Sequence, residues 1–214
     1  MVKRTLILLL CLSFKTFLGA QGSFEPSTHI GVHGGINLSV VSFKPEIKQG
    51  FISSLEFVIV FRHVSEPNIG LQFEVNVAGK GWKEIIDSVG TYTRRLETID
   101  VPVMAAFIAG SRRLRFAFTI GPYVSYLRHE KETIRIPDID QYRPHYLKPL
   151  VRNWEFGFTG GAAVEIHTKI GGFAVRASYR HALTNLFPLD IDEFYFSGSR
   201  QQVIHVGAMY FVTF

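Results

Sequence analysis

Cysteine is nearly missing from this chain of 214 residues: Cys11 is the single one. An intrachain disulfide and a thiolate metal cluster are thereby excluded. Past the first twenty residues no stretch holds 18 consecutive apolar residues, so no helical membrane span is expected. The low hydrophobicity and high charge of a disordered chain are missing as well, with 47% hydrophobic against 19% charged residues. What is abundant is glycine and aromatic side chains, nineteen Gly, nineteen Phe and eight Tyr. That balance leans toward β-strands.

The chain opens on a short basic stretch, Met1-Val2-Lys3-Arg4. An apolar run from Thr5 to Leu18, broken by Lys15, and the small pair Gly19-Ala20 follow. This order predicts a secretory signal peptide, residues 1–20, cleaved near Ala20. A membrane anchor is the bland alternative, but the run is shorter than the ~20 residues a spanning helix needs. Leu10 stands where a lipobox wants a small residue, so Cys11 reads as part of the leader. Removing Lys3, Arg4 and Lys15 takes away no acid and lowers the formal charge from +5 to +2. A nucleic-acid partner, which needs a concentrated basic surface, loses its support. One exported domain, residues 21–214, remains.

That domain is built on period-2 alternation, the pattern of strands with two unlike faces. Eight segments carry it, over residues 29–40, 51–62, 69–78, 95–108, 114–127, 153–167, 172–181 and 201–214. In the third, Ile69, Leu71, Phe73, Val75 and Val77 alternate strictly with Gly70, Gln72, Glu74, Asn76 and Ala78. Val58 and Val60 blur the polar face of the second. In the fourth, Pro102 cannot donate a ladder hydrogen bond, which predicts a local bulge there. Links between segments alternate in length. Those around residues 65–68, 110–112 and 169–171 are tight. The other four are expected to be longer, the longest running from about Arg128 to Arg152. An even number of strands of about 9–11 residues or more, with short turns on one side and long loops on the other, predicts an all-β fold. Its form is an eight-stranded antiparallel up-and-down transmembrane β-barrel following a cleaved signal peptide.

A soluble lipocalin-like binder of an apolar ligand has the same periodicity with the apolar face inward. Three features favour apolar-out. The apolar face carries Phe, Ile, Val and Leu on nearly every segment. The other face holds small residues with Glu56, Arg62, Glu74, Arg115, Glu155, Glu165, Arg176 and Arg180, and almost no lysine. A confined lumen suits such Glu–Arg pairing. Trp82, Tyr92, Trp154, Tyr195, Tyr210 and Phe214 lie near segment ends, where aromatic girdles sit. An eight-stranded lumen is narrow, so its charges are expected to pack as mutually paired structural ions rather than line a pore.

Several runs resemble one family. HIGVHGGINLS from His29 to Ser39 resembles the first strand of PorT-like outer-membrane β-barrel proteins of Bacteroidetes-type bacteria. LETIDVPV from Leu96 to Val103, GPYVSY from Gly121 to Tyr126 and YRHALTN from Tyr179 to Asn185 are similar to later strands. The ending MYFVTF, with Tyr210 and the terminal Phe214, resembles the last-strand signal read by the barrel insertion machinery. The resemblance covers essentially the whole domain. It implies an eight-stranded barrel of the Gram-negative outer membrane, with membrane lipids and the barrel assembly machinery as partners. Envelope or type IX-like secretion-complex proteins are further candidates. It supplies no catalytic residues.

The expected function is therefore a non-enzymatic envelope barrel, a structural or accessory component. A small barrel enzyme acting on lipid or ester substrates is the alternative, with His181 and His205 near Ser197 and Ser199. No Gly-x-Ser-x-Gly context supports it. His29 and His33 share a strand face about 13 Å apart, too far for joint metal ligation. The acids of residues 137–140 and 189–193 lack EF-hand spacing. No cofactor or metal is expected. The aromatic residues Tyr142, Tyr146, Phe187, Phe194, Tyr195 and Phe196 on the long loops suit either a partner contact or the outer rim.

Overall fold

The computed structural model describes residues 25–86, 89–137, 143–188 and 196–214. The leader, Tyr142, Phe194, Tyr195 and all the acids of the two acidic runs lie outside the described residues. Nine strands form one antiparallel sheet: β1 (Ser27–Lys44), β2 (Gln49–Gly50), β3 (Ile52–Glu66), β4 (Ile69–Ile86), β5 (Gly90–Gly110), β6 (Leu114–Arg135), β7 (Trp154–Thr168), β8 (Gly171–Ala182) and β9 (Gly198–Thr213). The long strands β1, β3, β4, β5, β6, β7, β8 and β9 each pair with the next, and β9 pairs back with β1. The long strands thus make a closed up-and-down ring of eight, and the two-residue β2 adds a ninth pairing against β4. Closure leaves first and last strands without a free edge, the arrangement a sheet in lipid requires.

The alternation sets the faces. Ile30, Val32, Ile36 and Leu38 of β1 point outward, while His29, His33, Asn37 and Ser39 are buried inside. The same holds around the ring, with Leu55, Phe57 and Ile59, Phe116 and Phe118, and Ile204 and Val206 all exposed. The apolar face is outside, the reverse of a soluble ligand barrel. Ile30 to Leu38, Ile69 to Val77 and Ile204 to Val212 each measure about 26 Å along the strand at ~3.3 Å per residue. Strand tilt reduces this to roughly the height of an apolar membrane band.

Two sequence expectations change. The link between the third and fourth segments is not long. β4 and β5 continue as a paired ribbon to Ile86 and Gly90, and β6 runs on beside them to Arg135. Their outward side chains in this stretch are polar (Lys83, Thr91, Thr93, Arg95, Lys131, Thr133), so the sheet extends beyond the apolar belt. The polar outer face hid the strands from a search for apolar alternation. Second, no register shift occurs at Pro102. The β4–β5 ladder merely skips that level, and the bulge falls at Arg128 of β6, between the Glu97–His129 and Thr98–Leu127 pairs.

Three layers fill the ring. At the short-turn end Val64, Ile108, Ala117 and Ala163 pack together. Val58 and Val60, the residues that blur the polar face, join Ala174, Met209 and Phe211. Charged side chains occupy the middle. At the long-loop end Val41, Phe43, Trp82, Tyr92, Leu96 and Phe187 form an apolar core with loop residues Tyr146 and Phe196.

Candidate functional site

Successive inward positions carry the charges, and closure brings strands far apart in sequence to face one another. Arg180 on β8 donates to Glu56 on β3 and, at 2.7 Å, to Asp100 on β5; its guanidinium also reaches Asn37 on β1 at 3.2 Å. Arg176, one turn of the pleat away, donates to Glu74 on β4 and to Thr119 on β6 at 3.3 Å. Arg62 donates to Glu165 at 2.6 Å and to Gln72 at 2.6 Å. Lys80 donates to Glu155 at 2.7 Å and to Ser125 at 3.0 Å, and lies 3.6 Å from Asp100. The Tyr123 hydroxyl gives Glu155 a second donor at 2.9 Å.

Seven of the eight charged residues singled out in the sequence, Glu56, Arg62, Glu74, Glu155, Glu165, Arg176 and Arg180, are thus buried and brought together. Arg115 points the same way but is half-buried and joins none of these ion pairs among the described residues. Lys80 and Asp100 complete the network. The apolar alternation of β4 fades past Ala78 and does not mark Lys80, but the even-numbered phase continues and places Lys80, Trp82 and Glu84 inside.

The same phase corrects the aromatic girdle. Trp82 and Tyr92 are fully buried inside the long-loop end rather than facing outward. Trp154, Tyr210 and Phe214 are exposed, and Trp154 packs on Tyr126 with ring centroids 4.8 Å apart. Tyr195 lies outside the described residues.

Two acids, Glu84 fully buried and Glu132 half-buried, hold the loop that closes this end. Glu84 accepts from Trp82 Nε1 at 3.0 Å and from the Tyr146 hydroxyl at 3.0 Å, lies 2.6 Å from His145 Nε2 and 3.4 Å from Arg143. Glu132 accepts from the Tyr92 hydroxyl at 2.9 Å and the Leu147 amide at 3.0 Å. Arg94 faces Glu130 and Glu132 at 2.9 and 3.1 Å, with its guanidinium over the Trp82 and Phe187 rings. Burial pushes the Tyr92 and Tyr146 phenols well above the ordinary value, with the neighbouring carboxylates adding to the rise for each. Nothing in the sequence marked 143–147 as a cap, since its partners are set by closure of the ring.

Below the cap, a cavity beside Lys80, Leu96, Ser125 and Leu186 encloses about 20 Å³, room for about one water. His33 and His205 are in contact, Nε2 to Nε2 at 3.0 Å, and His205 Nδ1 meets Asn37 at 2.8 Å. His205 therefore lies mid-ring rather than at a rim. Ser199 Oγ accepts from the Phe187 amide and Ser197 Oγ donates to the Lys44 carbonyl, while His181 contacts Tyr179. These serines and histidines are not assembled into a nucleophile–base pair. No group of three or more His, Cys, Asp or Glu side chains suited to a metal occurs among the described residues.

Residues 20–188 match the family model described as the outer membrane protein beta-barrel domain. No curated protein matches the sequence. Among solved structures, the outer membrane protein OprG of Pseudomonas aeruginosa is similar at 9% identity and a TM-score of 0.51, over 88% of this chain and 95% of that one. Ail, the attachment invasion locus protein of Yersinia pestis, gives 12% identity and a TM-score of 0.43 over 89% and 100%. Neisserial surface protein A gives 9% and 0.41 over 85% and 96%.

Proposed function

The chain belongs to the outer membrane protein β-barrel domain family and resides in the outer membrane; on that premise we propose that it is a non-enzymatic, non-conducting eight-stranded transmembrane barrel, released from its leader near Ala20. Its work is structural or accessory: the apolar belt anchors it in lipid, a plug of ion pairs stiffens the ring, and the long-loop end is presented outside the cell. One observation carries this reading, the interior network of Arg180, Glu56, Asp100, Lys80 and Glu155 lying directly beneath the cap held by Glu84. Buried charges paired in this way resist separation, because removing one leaves another uncompensated. An open conduit needs mobile, hydrated walls instead. Short turns face the periplasm and long loops the exterior in barrels of this kind. Tyr210 and Phe214 on the last strand fit the signal for barrel insertion.

The runs that resemble PorT-like proteins support a place beside an envelope or type IX-like secretion complex. Pull-down of such a complex with the loop end as bait tests that finer reading. Planar-bilayer recording tests the closed interior. The refolded protein is expected to give no discrete conductance steps, and steady ohmic steps from the wild type contradict a plugged lumen.

A further inference from the structure

The β3–β4 ladder has a gap. Pairing stops at Glu56–Ala78 and resumes, one residue out of step, at Gly50–Lys83 and Gln49–Glu84. The freed Gly79 and Gly81 carbonyls are not left bare. Gly79 O accepts from Asn37 and Ser54, and Gly81 O from Ser39 and Gln201. Bare carbonyls facing lipid carry a heavy cost, so inward capping makes this gap a built feature. Outside it lies a cleft of about 380 Å³ with Leu55, Phe57 and Val77 below and Arg95 and Glu97 above.

A second pocket of about 360 Å³ adjoins it through Arg95. Lys83, Arg135 and the hydroxyls of Thr91, Thr93 and Thr133 line it. Arg95 stands directly opposite Lys131, and Arg135 opposite Thr91. Like charges facing across strands are destabilising on their own. Glu130 and Glu132 point inward to Arg94, leaving Glu97 as the outward acid here among the described residues. Lys83, Arg95, Lys131 and Arg135 form no ion pair among the described residues.

We propose that this face of β4–β6 binds the phosphorylated headgroup of an outer-leaflet lipid, with an acyl chain lodged in the β3–β4 cleft. The inference rests on the barrel standing in lipid with its long-loop end outward. Cations and hydroxyls sit just above the apolar belt, and an apolar slot opens beneath them. A phosphorylated, acylated amphiphile has the same order of chemistry. Its anion relieves the Arg95–Lys131 repulsion, and each cation near such a surface strengthens attraction.

The test reconstitutes the full chain in phosphatidylcholine nanodiscs doped with bis-phosphorylated lipid A and counts retained lipid by native mass spectrometry. Arg95→Gln/Lys131→Gln/Arg135→Gln is expected to lower retention by on the order of tenfold or more. Arg112→Gln/Arg113→Gln/Lys169→Gln, which removes three cations from the short turns, is expected to leave it unchanged. Dephosphorylated lipid A should be poorly retained, and millimolar inorganic phosphate should not displace the intact lipid. Equal retention by the two triple variants overturns the proposal, as does equal retention of the dephosphorylated lipid. Displacement by phosphate makes the site one for free anions and overturns it too. Each sample is also run unboiled and boiled on a cold gel. A mobility shift without lipid retention sinks the lipid site alone; no shift in the wild type sinks the closed barrel and the site with it.

Discussion

Arg180 reaches from β8 across the ring to Glu56 on β3 and Asp100 on β5. Arg180→Ala leaves Glu56 buried without its arginine and Asp100 with only the longer contact to Lys80, and a loss of about 3–5 kcal/mol is expected. Arg176→Ala strands Glu74 in the same way, and Glu155→Ala leaves Lys80 with only the longer contact to Asp100. Urea unfolding in detergent checks all three, and wild-type midpoints count against an interior held by these pairs. At the capped end the raised Tyr92 and Tyr146 phenols set a pH direction. Both hold their protons in the folded state above pH ~10, where the unfolded chain loses them. Their contribution is fully present below that pH and fades as pH rises beyond it. Tyr92→Phe/Tyr146→Phe is expected to remove two tyrosines from the late phase of the phenolate absorbance; an unchanged late phase in that variant rejects the docked loop. Pairing of this kind was half legible. Alternation put Glu56, Glu74, Arg176 and Arg180 on one face, but which acid meets which arginine depends on closure across more than a hundred residues of chain.

β1 and β9 meet only because the sheet curls through all the others. Their register sets Leu38 opposite Ile204, both outward. A protein carrying Leu38→Cys and Ile204→Cys is expected to oxidise to a circularised species that stays compact after boiling. Leu38→Cys with Val203→Cys is not, because Val203 points inward and the side chains of adjacent strand positions lie on opposite faces. Efficient crosslinking of the second pair, or none of the first, contradicts the closure register. The apolar cores of these strands were plain in the sequence, since a lipid-facing side must be apolar at every second position. Their extensions were not. Past Val77, Ile99 and Tyr126 the outer face turns to Lys83, Thr93, Arg95 and Thr133, and the contrast that reveals a strand disappears although the ladder continues. The inner phase survives there in Lys80, Trp82 and Glu84, and in Tyr92, Arg94 and Leu96. Trp82→Ala is expected to cost about 3–5 kcal/mol by emptying the centre of that core, read as a lower melting temperature with the short-turn end still folded. A melting temperature equal to wild type refutes a packed core at that end.

At the scale of the molecule, an apolar belt outside, ion pairs inside and an apolar cap above suit a protein that stands in lipid. The all-β class could be read from period-2 alternation, and the outward belt from that alternation together with the Glu–Arg composition of the opposite face. The cap and the gap between β3 and β4 could not, because both are made by contacts that exist only after the ring closes. The two tryptophans stand on opposite sides of this account: Trp82 is fully buried inside, Trp154 is 53% exposed at the belt edge. Quenching by acyl-chain-brominated lipids in vesicles therefore tests it most directly. With Trp82→Phe, the remaining Trp154 is expected to be strongly quenched. With Trp154→Phe, the remaining Trp82 is expected to keep its emission. Equal quenching of both, or quenching of Trp82 alone, contradicts a closed ring with its apolar face in lipid.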